Sequence, residues 1–324
     1  MTHRVHLCLG LAALALAGPS HALNIVLSND DGCAAPGITA VRTALLAAGH
    51  RVITVGPASN QSGSGAAYAV PDRSTKLVIQ PLTGATDVYC VYRVKPAFVA
   101  GTALDSTNAN YIGSGSPVDA TAMGLKVLAK EAGMTPDLVV SGANYGQNLS
   151  DSIPHSGTVM NALYAARQGV PAIAISVGVN FAEAATGFPS TSASFPKAAD
   201  FLVRLLAKLD TQRKAGEPLL TATQPLNLNY PALPGTQMPL GVKLTAPGVT
   251  DSFGTAYSRN ADGSVAINVG PVPAEPAELA KFAETPAFVA NYVTISPITV
   301  DFRPTPLQRG LFNRARKDLA ALAP

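Results

Sequence analysis

Leu23-Asn24-Ile25-Val26-Leu27-Ser28-Asn29-Asp30-Asp31-Gly32 is a short apolar run that ends in two adjacent carboxylates and a glycine. Pro36-Gly37 follow, and then apolar residues at Ile38, Val41, Leu45 and Leu46, the spacing of a helix that buries one face. Gly49 stops that helix, and residues 51–55 supply a second strand running into Gly56-Pro57. Strand, helix and strand in this order make a βαβ unit, which calls for a parallel sheet with right-handed crossovers.

After an irregular region the alternation resumes. Residues 118–132 read as a helix, 137–141 as a buried strand, 157–168 as a helix, 171–177 as a strand, 195–209 as an amphipathic helix and 225–230 as a strand. These strands are apolar on both faces, as expected of a parallel sheet covered by helices on each side. Beyond Pro231 the texture changes to short strand-like stretches at 242–245, 256–258, 265–269 and 292–300, with helical patterns at 275–282 and 307–322. The expectation is a three-layer, Rossmann-like α/β domain with a mainly parallel sheet, its core spanning about 23–230. A β-rich and helical C-terminal extension covers about 231–324.

The first 22 residues read as a secretory leader. Arg4 precedes an apolar run from Leu7 to Ala17, too short to span a bilayer, and Ser20 and Ala22 fit the small positions of a cleavage site. The expected location is periplasmic or secreted, with no membrane contact after cleavage. The whole chain of 324 residues has 23 Lys and Arg against 20 Asp and Glu, a net charge of +3, and no dense basic run that would track a nucleic-acid polymer. A phosphate ligand would therefore be recognised locally. His3, His6 and His21 lie in the leader, so His50 and His155 alone stay, which excludes a multi-histidine zinc site. Cys33 and Cys90 also stay; they either pair in an oxidising compartment or remain two thiols.

Ligands of an open parallel sheet bind outside the carboxyl ends of its strands, and three loops qualify. In the first, Asp30 and Asp31 repel each other unless a cation or solvent intervenes; the plain alternative is an Asp-Gly turn with a helix cap. The second, residues 56–65, holds Ser62 and Gly63, whose hydroxyl and open backbone suit a metal or a phosphate, or else a flexible linker. The third runs from Ser141 through Asn144 and Asn148 to His155. There Ser156, Gly157 and Thr158 open a helix whose free N–H groups attract an anion, or Ser156 merely caps it.

Taken together the loops resemble the survival protein SurE family of metal-dependent nucleotidases. The resemblance rests on Asn29-Asp30-Asp31-Gly32 with Ala35-Pro36-Gly37, on Ser62-Gly63, on Gly115-Ser116-Pro117-Val118-Asp119 and on Ser141 through Leu149. It continues in Ser156-Gly157-Thr158-Val159, Leu226-Asn227-Leu228-Asn229 and Tyr292 through Pro297, followed by Val300-Asp301, and so covers most of the chain after the leader.

The resemblance implies that Asp30, Asp31, Ser62 and Asn144 ligate a divalent ion and that Asp30, Asp31 and Asn144 carry catalysis. It also implies that Asn29, Gly63, Ser156, Gly157 and Thr158 bind the phosphate. Two carboxylates, a hydroxyl and an amide oxygen are hard ligands that suit Mg²⁺ or Mn²⁺ and admit Ca²⁺. The implied activity is hydrolysis of nucleoside 5'- and 3'-monophosphates by an activated water, and the implied assembly is a homodimer or homotetramer. A broad acid phosphatase or exopolyphosphatase is the alternative among enzymes. A periplasmic protein that binds nucleotide or phosphate without turnover is the alternative outside them, though paired carboxylates serve a phosphate binder poorly without a metal.

Departures from the family pattern are local. Residues 68–114 are longer and less familiar, Cys33 occupies the variable position after Asp-Asp-Gly, and His155 stands where the family often has Tyr. Residues 300–303 lack the histidine that often follows this strand, which leaves His155 or solvent to protonate the leaving group, and Arg303 a phosphate contact or a surface ion pair. Tyr68, Tyr111 and Tyr145 are candidates to stack on a base, or are structural.

Overall fold

A computed structural model describes residues 21–70, 74–273, 282–299, 301, 303 and 305–315. The leader through residue 20, most of the helix read at 275–282 and the last part of that read at 307–322 lie outside the described residues.

The opening stretch folds as read. β1 (Asn24–Ser28), α1 (Pro36–Ala47) and β2 (Arg51–Pro57) form the βαβ unit, with β1 and β2 parallel. Pro36 starts α1, where a missing N–H costs nothing, and Gly49 ends it at φ 85°, a conformation that suits glycine. Next come β3 (Lys76–Pro81), β4 (Val88–Val94), β5 (Tyr111–Ser114) and α2 (Pro117–Met123), the last continuing through a π-helical turn at Gly124–Leu128 into α3 (Ala129–Glu131). β6 (Leu138–Tyr145), α4 (Gly157–Arg167), β7 (Ala172–Val177), α5 (Pro189–Gln212) and β8 (Leu226–Tyr230) complete the alternating part. After them lie β9 (Val242–Leu244), β10 (Phe253–Arg259), β11 (Val265–Pro271), α6 (Glu284–Val289), β12 (Val293–Pro297) and α7 (Pro306–Ala315).

The main sheet runs β3-β4-β2-β1-β6-β7-β8-β12-β9, with β5 on β4. From β4 to β8 every neighbouring pair is parallel. Its two faces bury separate cores, and β1 shows why its run is continuously apolar. Ile25 and Leu27 pack against Ile38, Val41 and Leu45 of α1 and Phe195, Leu202 and Leu206 of α5. Val26, between them, points the other way, against Ala120 of α2 and Val159, Ala162 and Leu163 of α4.

Two expectations need correction. The region read as irregular before residue 118 contains β3, β4 and β5 at one sheet edge. β3 is half-exposed along most of its length, so its residues lack the alternation that marks a strand. The C-terminal residues also do more than form an appendage. β12 pairs antiparallel with β8 and carries β9 beyond it, so both widen the main sheet, while β10 and β11 alone form a separate hairpin. α6 falls just after the helix expected at 275–282.

Candidate active site

In the sheet β1 lies between β2 and β6, so the loops leaving the carboxyl ends of these three strands are neighbours in space. That adjacency assembles the site from segments more than 100 residues apart in the chain.

Asp30 is buried against the start of α4. The Thr158 hydroxyl donates to its Oδ1 across 2.5 Å. A side chain at Gly157 would sit 2.7 Å from the Asp30 Cβ and 2.8 Å from Pro117, so only glycine lets the helix come this close. Ser156 caps the helix, its hydroxyl accepting from the Val159 amide. Asp31 accepts from the Tyr145 amide at 2.8 Å and from the Asn60 side chain at 3.3 Å, and so bridges the third loop to the second. Asn60 in turn accepts from the Ser62 amide at 2.7 Å, which fixes the start of the Ser62-Gly63 turn.

Burial raises the Asp30 carboxyl above its ordinary value, with the Thr158 hydroxyl and α4 amides opposing. Asp31 is pushed up to about 7, first by burial and then by the Asp30 charge beside it. Two carboxylates that each resist ionisation for want of positive charge make a site a cation would relieve.

Asn144 supplies the second indication. β6 carries one extra residue against β7 between Ser141 and Asn144, which brings Asn144 opposite Ser176, where an unbroken register would place Ala143. Its Nδ2 donates to the Gly146 carbonyl at 2.8 Å, while its Oδ1 is buried without a partner. A buried amide oxygen left unpaired is costly, and a metal ion is one partner that would satisfy it. Among the described residues no group of three or more His, Cys, Asp or Glu is placed to hold an ion.

Asp30, Ser62, Gly63, Asn144 and Ser156 line one cavity of about 610 Å³ together with Tyr145, Asn148, Asp151 and His155, and the hairpin residues Phe253 and Tyr257 close its far wall. Asn29, Asp31, Gly157 and Thr158, all expected at the site, are not on its wall. Asn29 is fully buried, with both its side-chain polar atoms unpaired, and stands outside the cavity wall. Thr158 is fully buried and spends its hydroxyl on Asp30, so in place of a phosphate contact it orients a carboxylate. Of the three tyrosines, Tyr145 alone lines this cavity; Tyr111 packs edge-on against Tyr92, and Tyr68 is exposed elsewhere. Arg303 pairs with Asp301 on the surface through two contacts of 2.7 and 2.8 Å.

The sequence reading missed a layer behind the loops. Asn227 and Asn229, on one face of β8, both donate to the Asn148 carbonyl, at 2.8 and 3.1 Å. Buried Asn161 of α4 reaches the Asn29 carbonyl at 3.4 Å and the Ser141 hydroxyl at 3.3 Å. The alternating polar residues of Leu226-Asn227-Leu228-Asn229, inside a buried strand, were the available signal. Cys33 and Cys90 form a disulfide, Cα atoms 5.2 Å apart, that ties the residue after Gly32 to β4.

A mainly parallel α/β sheet with a carboxylate, hydroxyl and amide cluster at its carboxyl edge defines a Rossmann-like α/β protein. The model of the family "Survival protein SurE" matches residues 25–252. The chain is 35% identical over 225 residues to "5'-nucleotidase SurE" of Fervidobacterium nodosum, covering 69% of this chain and 70% of that one. It is 31% identical over 289 residues to the protein of the same name from Thermosynechococcus vestitus, covering 86% and 91%. The crystal structure of the SurE protein from Aquifex aeolicus superposes with a TM-score of 0.63 at 24% identity, over 90% of this chain and 99% of that one. The chain belongs to the SurE family.

Proposed function

We propose that this chain is a divalent-metal-dependent 5'-nucleotidase that hydrolyses nucleoside monophosphates to nucleoside and phosphate. The observation that carries the reading is the unpaired, buried Oδ1 of Asn144 beside the charge-starved Asp30 and Asp31. The names of the relatives support the choice of substrate.

Asp30, Asp31, Ser62 and Asn144 would hold the ion, with Mg²⁺ or Mn²⁺ best matched to these oxygens. When bound, such an ion supplies charge that polarises a phosphoryl oxygen and acidifies a water. Thr158 holds the Asp30 carboxylate at the cavity wall, and Asn60 and the Tyr145 amide fix the Asp31 carboxylate behind it. Gly63 and Ser156 lie on the wall where a phosphate would sit, and His155, on the same wall, would protonate the departing alcohol. Phe253, Tyr257 and Val269 line the same cavity and would give a nucleoside an apolar side to lie against.

Dialysis against EDTA is expected to abolish phosphate release from AMP, and Mn²⁺ or Mg²⁺ to restore it; turnover that survives chelation contradicts the reading. Rates with AMP, GMP and p-nitrophenyl phosphate separate a nucleotidase from a general phosphatase. Intact AMP retained without phosphate release would make the chain a binding protein.

The site belongs to one domain, residues 23–324, released from a leader at 1–22 into an oxidising compartment. The Cys33–Cys90 pairing and the leader-like apolar run support export. Fractionation of a native expression host tests it: the chain is expected outside the cytoplasm with residue 23 first. The exposed Tyr257, Val265, Ile267 and Val269 on the β10–β11 hairpin support a homodimer or homotetramer, which light scattering would detect.

A further inference from the structure

Three consecutive backbone amides of the third loop donate to side chains from three distant elements. The Asn148 amide donates to Asn229 of β8 at 2.8 Å, that of Leu149 to Asp251 just before β10 at 3.4 Å, and that of Ser150 to Glu284 at the start of α6 at 2.7 Å. Glu284 is fully buried, and its other oxygen accepts from the Ser296 hydroxyl at 2.6 Å and from Asn227 at 3.4 Å. Ser150 has φ 48°, uncommon for a residue with a side chain, and its hydroxyl is held as well, by Thr285 at 3.0 Å and the Gly248 amide at 3.0 Å.

Among the described residues no ion pair reaches Glu284 or Asp251. The charged neighbours of Asp251 are themselves acids, Glu284 and Asp151, the latter accepting the Asp251 amide at 2.7 Å; Ser150, Ser252, Thr285, Asn227 and Ser296 are neutral. Burial pushes Glu284 up to about 7 and Asp251 up to about 6. Two buried acids without a counter-ion are destabilising. A neutral side chain satisfies an amide equally well, as Asn229 does at Asn148. What Glu284 adds is reach, because its single carboxyl joins α6, β8 and β12 to one amide of the loop.

We propose that Glu284, through the Ser150 amide, is a positioning residue for the reaction, fixing the turn that connects Asn144 to the helix start at Ser156. The inference rests on the nucleotidase reading. Asn144 and Ser156 lie on one cavity wall, and the turn between them carries Asn148, Asp151, Ser152 and His155 of the same wall. A turn released from Glu284 leaves the ion ligands in place but misaligns the phosphate against them.

The test compares wild type with Glu284→Ala, Glu284→Asp and Glu284→Gln, loaded with Mn²⁺, using AMP hydrolysis counted per bound Mn²⁺ so that only folded sites enter. Gln keeps an oxygen for the Ser150 amide, and Asp keeps the charge but not the length. We expect kcat to fall on the order of 100-fold in Glu284→Ala and at least about tenfold in Glu284→Asp. Mn²⁺ affinity should stay within about threefold, and Glu284→Gln should return kcat to within about threefold of wild type. If Glu284→Ala does not fold, the Asp and Gln pair decides alone. Asp and Ala variants with kcat per bound Mn²⁺ within twofold of wild type overturn the proposal, as does a Gln variant as slow as Ala. Orthophosphate binding to the Mn²⁺-loaded proteins, by calorimetry, reads the same alignment without turnover. A wild type that hydrolyses no monophosphate defeats the nucleotidase reading, yet about tenfold weaker phosphate binding in Glu284→Asp would still support the positioning role, and unchanged binding would end it.

Discussion

The Thr158 hydroxyl donates to Asp30 Oδ1 across 128 positions of sequence, and neither residue has appreciable contact with solvent. A helix start and a strand end are thereby joined at the carboxylate on which the site depends. Thr158→Val keeps the volume and deletes the donor. A hydrogen bond to a charged group is worth about 2 kcal/mol, so Mn²⁺ affinity is expected to fall roughly 10- to 50-fold with the fold intact. Calorimetric titration with Mn²⁺ checks this, and an unchanged affinity would mean the bond does not orient Asp30.

Gly157 faces Asp30 and Pro117 so closely that a methyl group has no room. Gly157→Ala must push α4 away from β1, at a cost of about 1–3 kcal/mol. Thermal unfolding should register the loss, accompanied by lower turnover because Asp30 moves with the helix.

The Cys33–Cys90 disulfide closes a loop with a sequence separation of 57. Loop-closure entropy assigns such a bond about 4 kcal/mol, drawn from the unfolded chain. Urea unfolding with and without a reductant measures the difference. Equal midpoints would show that the bond does not stabilise the fold.

The Glu284 carboxyl titrates at about 7 in the folded chain, against an ordinary value of 4.5. The folded state therefore holds a proton that the unfolded chain releases in that window. The stability this contributes is complete below about pH 4.5 and is lost as pH rises through about 7. Glu284→Gln cannot ionise and escapes the loss. Relative to wild type it should gain on the order of 3 kcal/mol between pH 5 and 8, read from urea midpoints at the two pH values.

The strands that carry the site were legible because each is a short apolar run closed by polar and glycine residues. Asn29-Asp30-Asp31-Gly32 after β1, Ser62-Gly63 after β2 and Asn144 at the end of β6 could be found this way. Periodicity does not reveal strand order, and the lateral sequence β2-β1-β6 is what makes the three loops one site. The bulge that turns Asn144 toward the cavity left no mark in the residue pattern, and the half-exposed β3 lacked the alternation that would have announced it. Glu284 and Asp251 were out of reach for another reason. Their partners lie 134 and 102 residues away, and an acid destined for burial looks in sequence like any surface acid.

Asp31→Asn removes a charge from the proposed ligand set while leaving the packing of β1 untouched. It should lower AMP hydrolysis at least about 100-fold without altering thermal unfolding by more than a few degrees. Wild-type turnover in this variant would move the role elsewhere.

One cation is proposed to join the loops after β1, β2 and β6. Anomalous diffraction from a crystal soaked in Mn²⁺ addresses it directly. A single strong peak is expected about 2.0–2.4 Å from carboxylate oxygens of Asp30 and Asp31 and from Asn144 Oδ1. A peak bound elsewhere, or none at this edge of the sheet in a crystal of active protein, would contradict it.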